Sequence, residues 1–292
     1  MKIGIYARKE GKGIRKALSQ LLQMLENFEI QAVLHSNCSE LLGRDNQSDQ
    51  MIFDSIADHD LECLLCIGGD GTVLDTLHLV KKSGTPVLGI NLGRLGFLAS
   101  VQMQDLAYVL QKIVEHNYFL DKRSVLAIET DAPMFGEFPY ALNDFVLHKK
   151  DSASMITVNT YLNGEFLNAY WSDGLITATP TGSTGYSLSC GGPILFPQSS
   201  SLVMTPIAPH NLNVRPAVLS DDHVISYEII GRNESILATI DSKSVSIRSA
   251  AQLAVRRADF TFNMLRFHQD DYLNTLRGKL LWGLDNRNPT KE

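Results

Sequence analysis

Leu61–Leu74, LECLLCIGGDGTVL, decides how this chain reads. It opens as an apolar run of the length of a buried strand: Leu61, Cys63, Leu64, Leu65, Cys66, Ile67. It breaks at Gly68, Gly69, Asp70, Gly71 and Thr72, and continues over Val73–Val80 with Val73, Leu74, Leu77 and Val80 at helical spacing. Strand, glycine turn and helix start is the arrangement by which an α/β sheet offers backbone N–H groups to a phosphate. A carboxylate fits poorly in a phosphate cradle, because two anions repel. Asp70 makes better sense beside the phosphate, as a base or as a magnesium partner. A plain tight turn also accounts for GGDG, so the rest of the chain must decide.

Working outward, Lys2–Ala7 reads as a strand, Gly11–Leu25 as a helix with Ile14, Leu18, Leu21, Leu22 and Leu25 on one face, and Ile30–Leu34 as a second strand. The polar stretch Ser36–Gln50 reads as loop and Met51–Ala57 as a short helix. Val87–Ile90 is a further strand and Met103–Val114 an amphipathic helix. Strands and helices alternating at this spacing predict a parallel sheet covered on both faces. Both Gly68–Thr72 and the later loop NLGRLGFL (91–98) fall at the carboxyl edge of its strands, where ligands bind.

From Phe119 the pattern changes to short β-rich runs: Ser124–Thr130, Tyr140–Lys149, Ser154–Leu162, Glu165–Tyr170, Gly174–Ala178, Val224–Ile230, Ile236–Ile240, Val245–Arg248, Gln252–Val255 and Phe260–Phe262. They predict a sandwich-like second domain, with a hairpin at Asn163-Gly164. Tyr272–Trp282 returns to helical spacing. With 292 residues the chain is long enough for two domains.

Within the β-rich part, DGLITATPTGSTGYSLSCGGP (173–193) packs Gly, Ser and Thr around Tyr186. Hydroxyls and amides there suit phosphate or sugar oxygens, Asp173 a ribose hydroxyl or an amide, and Tyr186 a base. Asn143-Asp144 interrupts the apolar ALNDFVLHK. Both are poor strand formers, and such a pair can hold the vicinal diol of a ribose. An edge turn or bulge is the plain alternative. Together the three polar clusters suggest a nucleotide in an interdomain cleft.

Net charge is −6, which disfavours a protein built to bind nucleic acid. No apolar run approaches the roughly 20 residues of a membrane span. No secretory leader is visible, and a cytoplasmic protein is expected. The cysteines are Cys38, Cys63, Cys66 and Cys190. Cys63 and Cys66 form C-x-x-C, but residues three apart on a strand point to opposite faces and cannot share a metal. They read as buried strand residues, and no dedicated metal cage is expected.

GGDGT, NLGRLGFL, ALNDFVLHK, SDGLITATPTGSTGYSLSCGGPI and MTPIAPHNL, in this order and spacing, resemble the NAD kinase family over roughly Ile3 to Phe262. GGDGT alone also resembles the loop of lipid kinases of the diacylglycerol or sphingoid type. That reading, and a non-enzymatic dinucleotide sensor, stand as alternatives. The resemblance implies an α/β Rossmann-like N-terminal domain (1–120) rejoined by the tail (266–292), and a β-rich NAD-binding domain (121–265). It implies transfer of the γ-phosphoryl group of ATP to the 2′-hydroxyl of the adenosine ribose of NAD. Asp70 is then the general base, with Gly68, Gly69, Gly71 and Thr72 near the phosphates. Asp70, Gly71, Phe97, Asn143, Asp144, Asp173, Thr181, Thr184, Gly185, Tyr186, Ala208 and His210 match NAD-lining positions, with Asp241 as a further candidate. Magnesium would be held largely by the ATP phosphates and water, and a homodimer or homotetramer is implied. Three positions depart from the family pattern: Asp144 for a frequent Glu, Gly185 for a usual Ala, and Asp241-Ser242-Lys243 for a common Asp-Gly-Gln.

Overall fold

The computed structural model describes the chain except residues 44–50, 57–58, 94, 132, 151–153, 231–234, 249–250, 268–270 and 283–292. The chain divides into two compact units, residues 1–121 with 263 onward, and residues 122–262.

The first unit starts with β1 (Lys2–Ala7), α1 (Ile14–Asn27), β2 (Gln31–His35), α2 (Ser36–Leu42), β3 (Met51–Phe53) and β4 (Cys63–Ile67). It continues with α3 (Asp70–Val80), β5 (Val87–Asn91), β6 (Val101–Gln102), α4 (Leu106–Val114) and β7 (Phe119–Arg123). Every residue of β4 and β5 is buried, as expected of central parallel strands covered on both faces. Ile14, Ala17, Leu18, Leu21 and Leu25 of α1 form the buried stripe that covers one face. Cys63 and Cys66 are fully buried in β4, and burial pushes both thiols up.

Two expectations fail here. Ser36–Leu42 is helical, started by Nδ1 of His35 accepting from the amide of Asn37 at 3.1 Å; residues 44–50 of the expected loop lie outside the described residues. Met51–Phe53 is not helix but an edge strand, parallel to β2 with Val33 opposite Met51 and His35 opposite Phe53. Three apolar residues carry no period, so pairing with β2 decides.

The second unit holds β8 (Leu126–Thr130), β9 (Tyr140–Ala141), β10 (Asp144–Lys149), β11 (Ile156–Leu162), β12 (Glu165–Ser172), β13 (Gly174–Ala178), the short α5 (Tyr186–Ser189) and β14 (Ser201–Ile207). Then come β15 (Ala217–Ser220), β16 (Ile225–Ile230), β17 (Ser235–Ile240), β18 (Lys243–Arg248) and β19 (Leu253–Arg257). They form two antiparallel six-stranded sheets, ordered β15-β14-β13-β10-β17-β18 and β12-β11-β16-β19-β8-β9. Phe145, Leu147, Leu175, Met204 and Ile240 of the first share one core with Val158, Tyr227 and Val255 of the second. Asn163 and Gly164 take φ of 51° and 86°, closing the β11–β12 hairpin in the twist that primed turns require.

The run expected as one strand, Tyr140–Lys149, is two, in different sheets and broken at Leu142-Asn143. The glycine-rich stretch 179–193 is less open than expected. It contains a 3₁₀ turn (Gly182–Thr184) and α5, with Thr179, Thr181, Ser183 and Ser187 buried. Strand β14 was not among the expected strands, and Pro206 is an unusual residue for a central strand. Its partner β15 reaches only Met204, so the missing N–H of Pro206 lies past that ladder.

The chain ends with β20 (Phe262–Arg266) and α6 (Asp271–Leu280). The strand expected at Phe260–Phe262 in the β-rich part is thus shifted, and it joins the first sheet. That sheet has eight strands, ordered β3-β2-β1-β4-β5-β20-β7 with β6 beside β5, and Met264 lies parallel opposite Val87.

Candidate active site

In the first unit the turn after β4 is shaped by sterics. The amide of Gly68 donates to the carbonyl of Ile90 at 2.9 Å. Its φ of 153°, and the 2.2 Å that would separate a Cβ there from Oγ1 of Thr72, leave room only for glycine. Gly69 is the extended residue before α3, and the helix begins at Asp70 rather than Val73. A carboxylate in a first turn complements the helix dipole. Thr72 is buried against Gly68.

Asp70 is engaged by the second loop of that sheet edge. Its Oδ2 accepts from the amide of Phe97 at 2.9 Å, and its Oδ1 from those of Leu98 and Ala99, both at 3.0 Å. Gly96 lies flat against the carboxylate, where a Cβ would come within 1.8 Å of Oδ1. These three amide hydrogen bonds tie the two glycine-bearing loops together. The ring of Phe97 lies 6.4 Å from that of Tyr272.

Sequence reasoning missed Arg8. Its Nε and Nη2 fork onto Asp75 at 2.5 and 2.9 Å, and Nη2 also donates to the carbonyl of Gly71 at 2.8 Å. Tyr6 adds its hydroxyl to Asp75 at 3.2 Å. A guanidinium is thereby fixed beside the GGDGT turn. Its only signal in the sequence was a cation just past the end of β1.

In the second unit the break between β9 and β10 forms an elbow whose backbone is fully engaged. The amides of Leu142, Asn143 and Asp144 all donate to the carboxylate of Asp241, at 3.0, 2.8 and 3.1 Å. The carbonyl of Asp144 accepts from the amide of Asp241 at 3.0 Å. The carbonyls of Leu142 and Asn143 accept from the hydroxyl and amide of Thr179, at 2.6 and 2.9 Å. Gly182 closes on the same elbow: a Cβ there would sit 2.1 Å from the carbonyl oxygen of Asn143.

The elbow borders a cavity of about 310 Å³ lined by Asn143, Asp144, Val146, His148, Tyr186, Leu237, Thr239 and Asp241. Asn143, Asp144, Tyr186 and Asp241, expected from the sequence, come together here. Gly185 lies beside them, its Cβ direction 3.7 Å from Nδ2 of Asn143 and 4.0 Å from Oδ2 of Asp144. Strand alternation from Asp144 brings Val146 and His148 to the same face, a signal the sequence carried for His148.

Asp144 is 5% exposed. Burial, then the charge of Asp241, pushes its carboxyl up to about 7, and among the described residues no donor offsets them. Burial also pushes Asp241 up, but three amides and Lys243 oppose that shift. Of the two, Asp241 is the one held as a carboxylate. The Tyr186 hydroxyl is raised by burial and by the charges of Cys190, Asp144 and Asp173.

The remaining expected residues do not line this cavity. Asp173 pairs with Nζ of Lys149 at 2.6 Å. Thr181 is buried, with Nη1 of Arg123 donating to its hydroxyl at 3.2 Å, and the hydroxyl of Thr184 donates to the carbonyl of Thr181 at 3.1 Å. Several hydroxyls of this stretch are therefore spent on the fold. Ala208 has φ of 44°. His210 donates its amide to the carbonyl of Trp171 at 2.9 Å, and its ring lies against that indole, 4.2 Å between centroids and tilted by 51°. A larger hollow of about 970 Å³ in the first unit, bordered by Val101, Tyr108, Arg266 and Thr275, contains none of the expected site residues. Among the described residues no three His, Cys, Asp or Glu side chains gather as a metal-holding group.

Residues 4–118 match the model of the ATP-NAD kinase N-terminal domain, and residues 142–267 that of the C-terminal domain. The chain belongs to the NAD kinase family. It is 42% identical to the NAD kinase of Flavobacterium psychrophilum over 99% of this chain and 100% of that one. It is 40% identical to that of Christiangramia forsetii at the same coverage. Its fold is that of yeast NADH kinase solved with NADH (TM-score 0.86, 24% identity, 100% of this chain and 90% of that one). It also matches the Archaeoglobus fulgidus NAD kinase solved with ATP (TM-score 0.76, 24% identity, 96% and 99%).

Proposed function

We propose that this protein transfers the γ-phosphoryl group of ATP to the 2′-hydroxyl of the adenosine ribose of NAD, making NADP. The observation that carries the reading is the Asn143–Asp144 elbow. Its backbone is wholly engaged by Asp241 and Thr179, which leaves an amide and a carboxyl side chain to face the cavity. An amide and a carboxyl group side by side suit the hydroxyls and amino groups of a dinucleotide. Tyr186, 43% exposed at the same cavity, offers a ring face for stacking.

In the reaction the 2′-oxygen bonds to the γ-phosphorus, the bond from that phosphorus to the β–γ bridging oxygen breaks, and the 2′-hydroxyl proton leaves to a base. Asp70 is that base. Its Oδ2 accepts one amide and keeps a lone pair for the proton. Positioning and charge neutralisation supply most of the rate in such a transfer, and Arg8 is a fixed cation at the GGDGT turn. Gly69 and Gly71 suit close approach of a phosphate. Magnesium enters with ATP, held by its phosphates and water. Phe97, Asp173, Thr181, Thr184, Gly185, Ala208 and His210 are carried as NAD-lining positions by the family resemblance. The same resemblance supports a homodimer or homotetramer. The four free thiols suit the reducing cytoplasm.

The test is NADP formation from NAD, ATP and Mg²⁺ by wild type beside Asp70→Asn. Wild-type turnover falling by roughly 10²–10⁴-fold in the mutant, with NAD affinity little changed, supports the reading. No NADP from wild type, with ATP consumed when diacylglycerol is supplied, overturns it in favour of a lipid kinase.

A further inference from the structure

The resemblance offers Asp241 as a candidate ligand of NAD. The geometry gives its carboxylate other work. Asp241 sits in the two-residue turn between β17 and β18, at φ of 50°, where Ile240 pairs with Lys243. Its two oxygens take all three successive amides of the 142–144 elbow. An ordinary two-residue hairpin turn needs no such contact. A neutral side chain of the same size could not serve three donors with one acceptor oxygen.

We infer that Asp241 is a positioning residue, whose buried carboxylate fixes the Asn143–Asp144 elbow for substrate and places a negative charge beside Asp144. The inference rests on the reading of this cavity as the NAD site. Two observations support it beyond the hydrogen bonds. The elbow is clamped from the other side by Thr179 and Gly182, so Asp241 closes a vice rather than decorating a loop. The groups facing Asp144 or its partner are Asp241 from the β17–β18 turn, Tyr186 from α5, His148 from β10 itself, and Lys243 acting on Asp241. Burial raises the Asp144 carboxyl most, and among these groups Asp241 adds a negative charge to that effect. Asp144 therefore shares a proton with the solvent near neutral pH, and its ionised form is the better acceptor for ribose hydroxyls.

The experiment combines two measurements on the full chain. The first is a ¹³C-carboxyl NMR titration of the ligand-free protein, with Asp144 assigned by loss of its signal in Asp144→Asn. The second is NAD affinity as a function of pH. In wild type the Asp144 midpoint is expected near 7. In Asp241→Asn it moves to lower pH by about one unit, a tenfold change in the proton equilibrium. The limiting NAD affinity at high pH falls about tenfold as the elbow loosens. Asp241→Glu keeps the charge while lengthening the arm. It leaves the Asp144 midpoint in place and weakens NAD binding, which separates the two roles and serves if Asp241→Asn does not fold. An Asp144 midpoint near its ordinary value in wild type, or one unmoved in Asp241→Asn, overturns the inference. A moved midpoint in a protein that binds no NAD supports the coupling and overturns the assignment of the cavity.

Discussion

Replacing Asp144 by Asn should change how stability depends on pH more than it changes stability itself. Asp144 is buried, and its carboxyl is raised from the ordinary 3.8 to about 7. A carboxyl raised in this way is protonated in the folded chain where the unfolded chain has already ionised. Between about pH 4 and 7 the unfolded state therefore binds fewer protons, and stability falls as pH rises, levelling off above 7. At about 1.4 kcal/mol per pH unit, the whole window amounts to about 4 kcal/mol. The part between pH 5 and pH 8 is about 2.5 kcal/mol. Asn carries no such linkage. The stability of Asp144→Asn relative to wild type should thus improve by about 2.5 kcal/mol between these two pH values. Urea unfolding of both proteins at pH 5, 6, 7 and 8, with equal m-values as the check on two-state behaviour, measures it. A difference between the two proteins that stays constant across the range would refute the reasoning. Asp144 would then titrate as an exposed carboxyl, and the cavity would be wetter than its burial indicates.

Other consequences are as direct. Asp70→Asn should cost stability as well as rate, because a carboxamide cannot accept from all of Phe97, Leu98 and Ala99. A loss of about 1–3 kcal/mol in urea unfolding is expected, and an unchanged midpoint would mean that the second loop is not held by Asp70. Gly182→Ala places a methyl group against the carbonyl of Asn143. It should destabilise by about 1–3 kcal/mol and weaken NAD binding in calorimetry, whereas a neutral outcome would show the elbow free to shift. Cys63 and Cys66 should resist a thiol reagent in the native protein, while the half-buried Cys190 reacts first; mass mapping of the labelled sites reads this out.

What the sequence disclosed follows from where each signal lived. β4 and β5 announced themselves because central parallel strands are apolar throughout. Asn163-Gly164 announced a hairpin because few other pairs tolerate two positive φ values. Asn143-Asp144 stood out as polar residues breaking an apolar run, and the break is real: the chain changes sheets there. The roles that stayed hidden depend on partners distant in the chain. Asp241 looks like an ordinary turn residue until its carboxylate meets amides 97 to 99 positions earlier. Asp70 looked like chemistry alone, yet it also holds the backbone of a second loop. β20 has no local feature that separates it from the β-rich run before it, and only its pairing with β5 and β7 assigns it to the first sheet.

That pairing bears on how the chain matures as it is made. The second unit is one continuous stretch, so every strand it needs has been synthesised once β19 emerges. The first sheet lacks the strand between β5 and β7 until the stretch after it is translated. The half of the protein that begins first is therefore completed last. Until then β6 covers β5 only at Ile90 and Asn91, and the Val87 end of this buried strand is an open edge, which a nascent chain must keep from other partners.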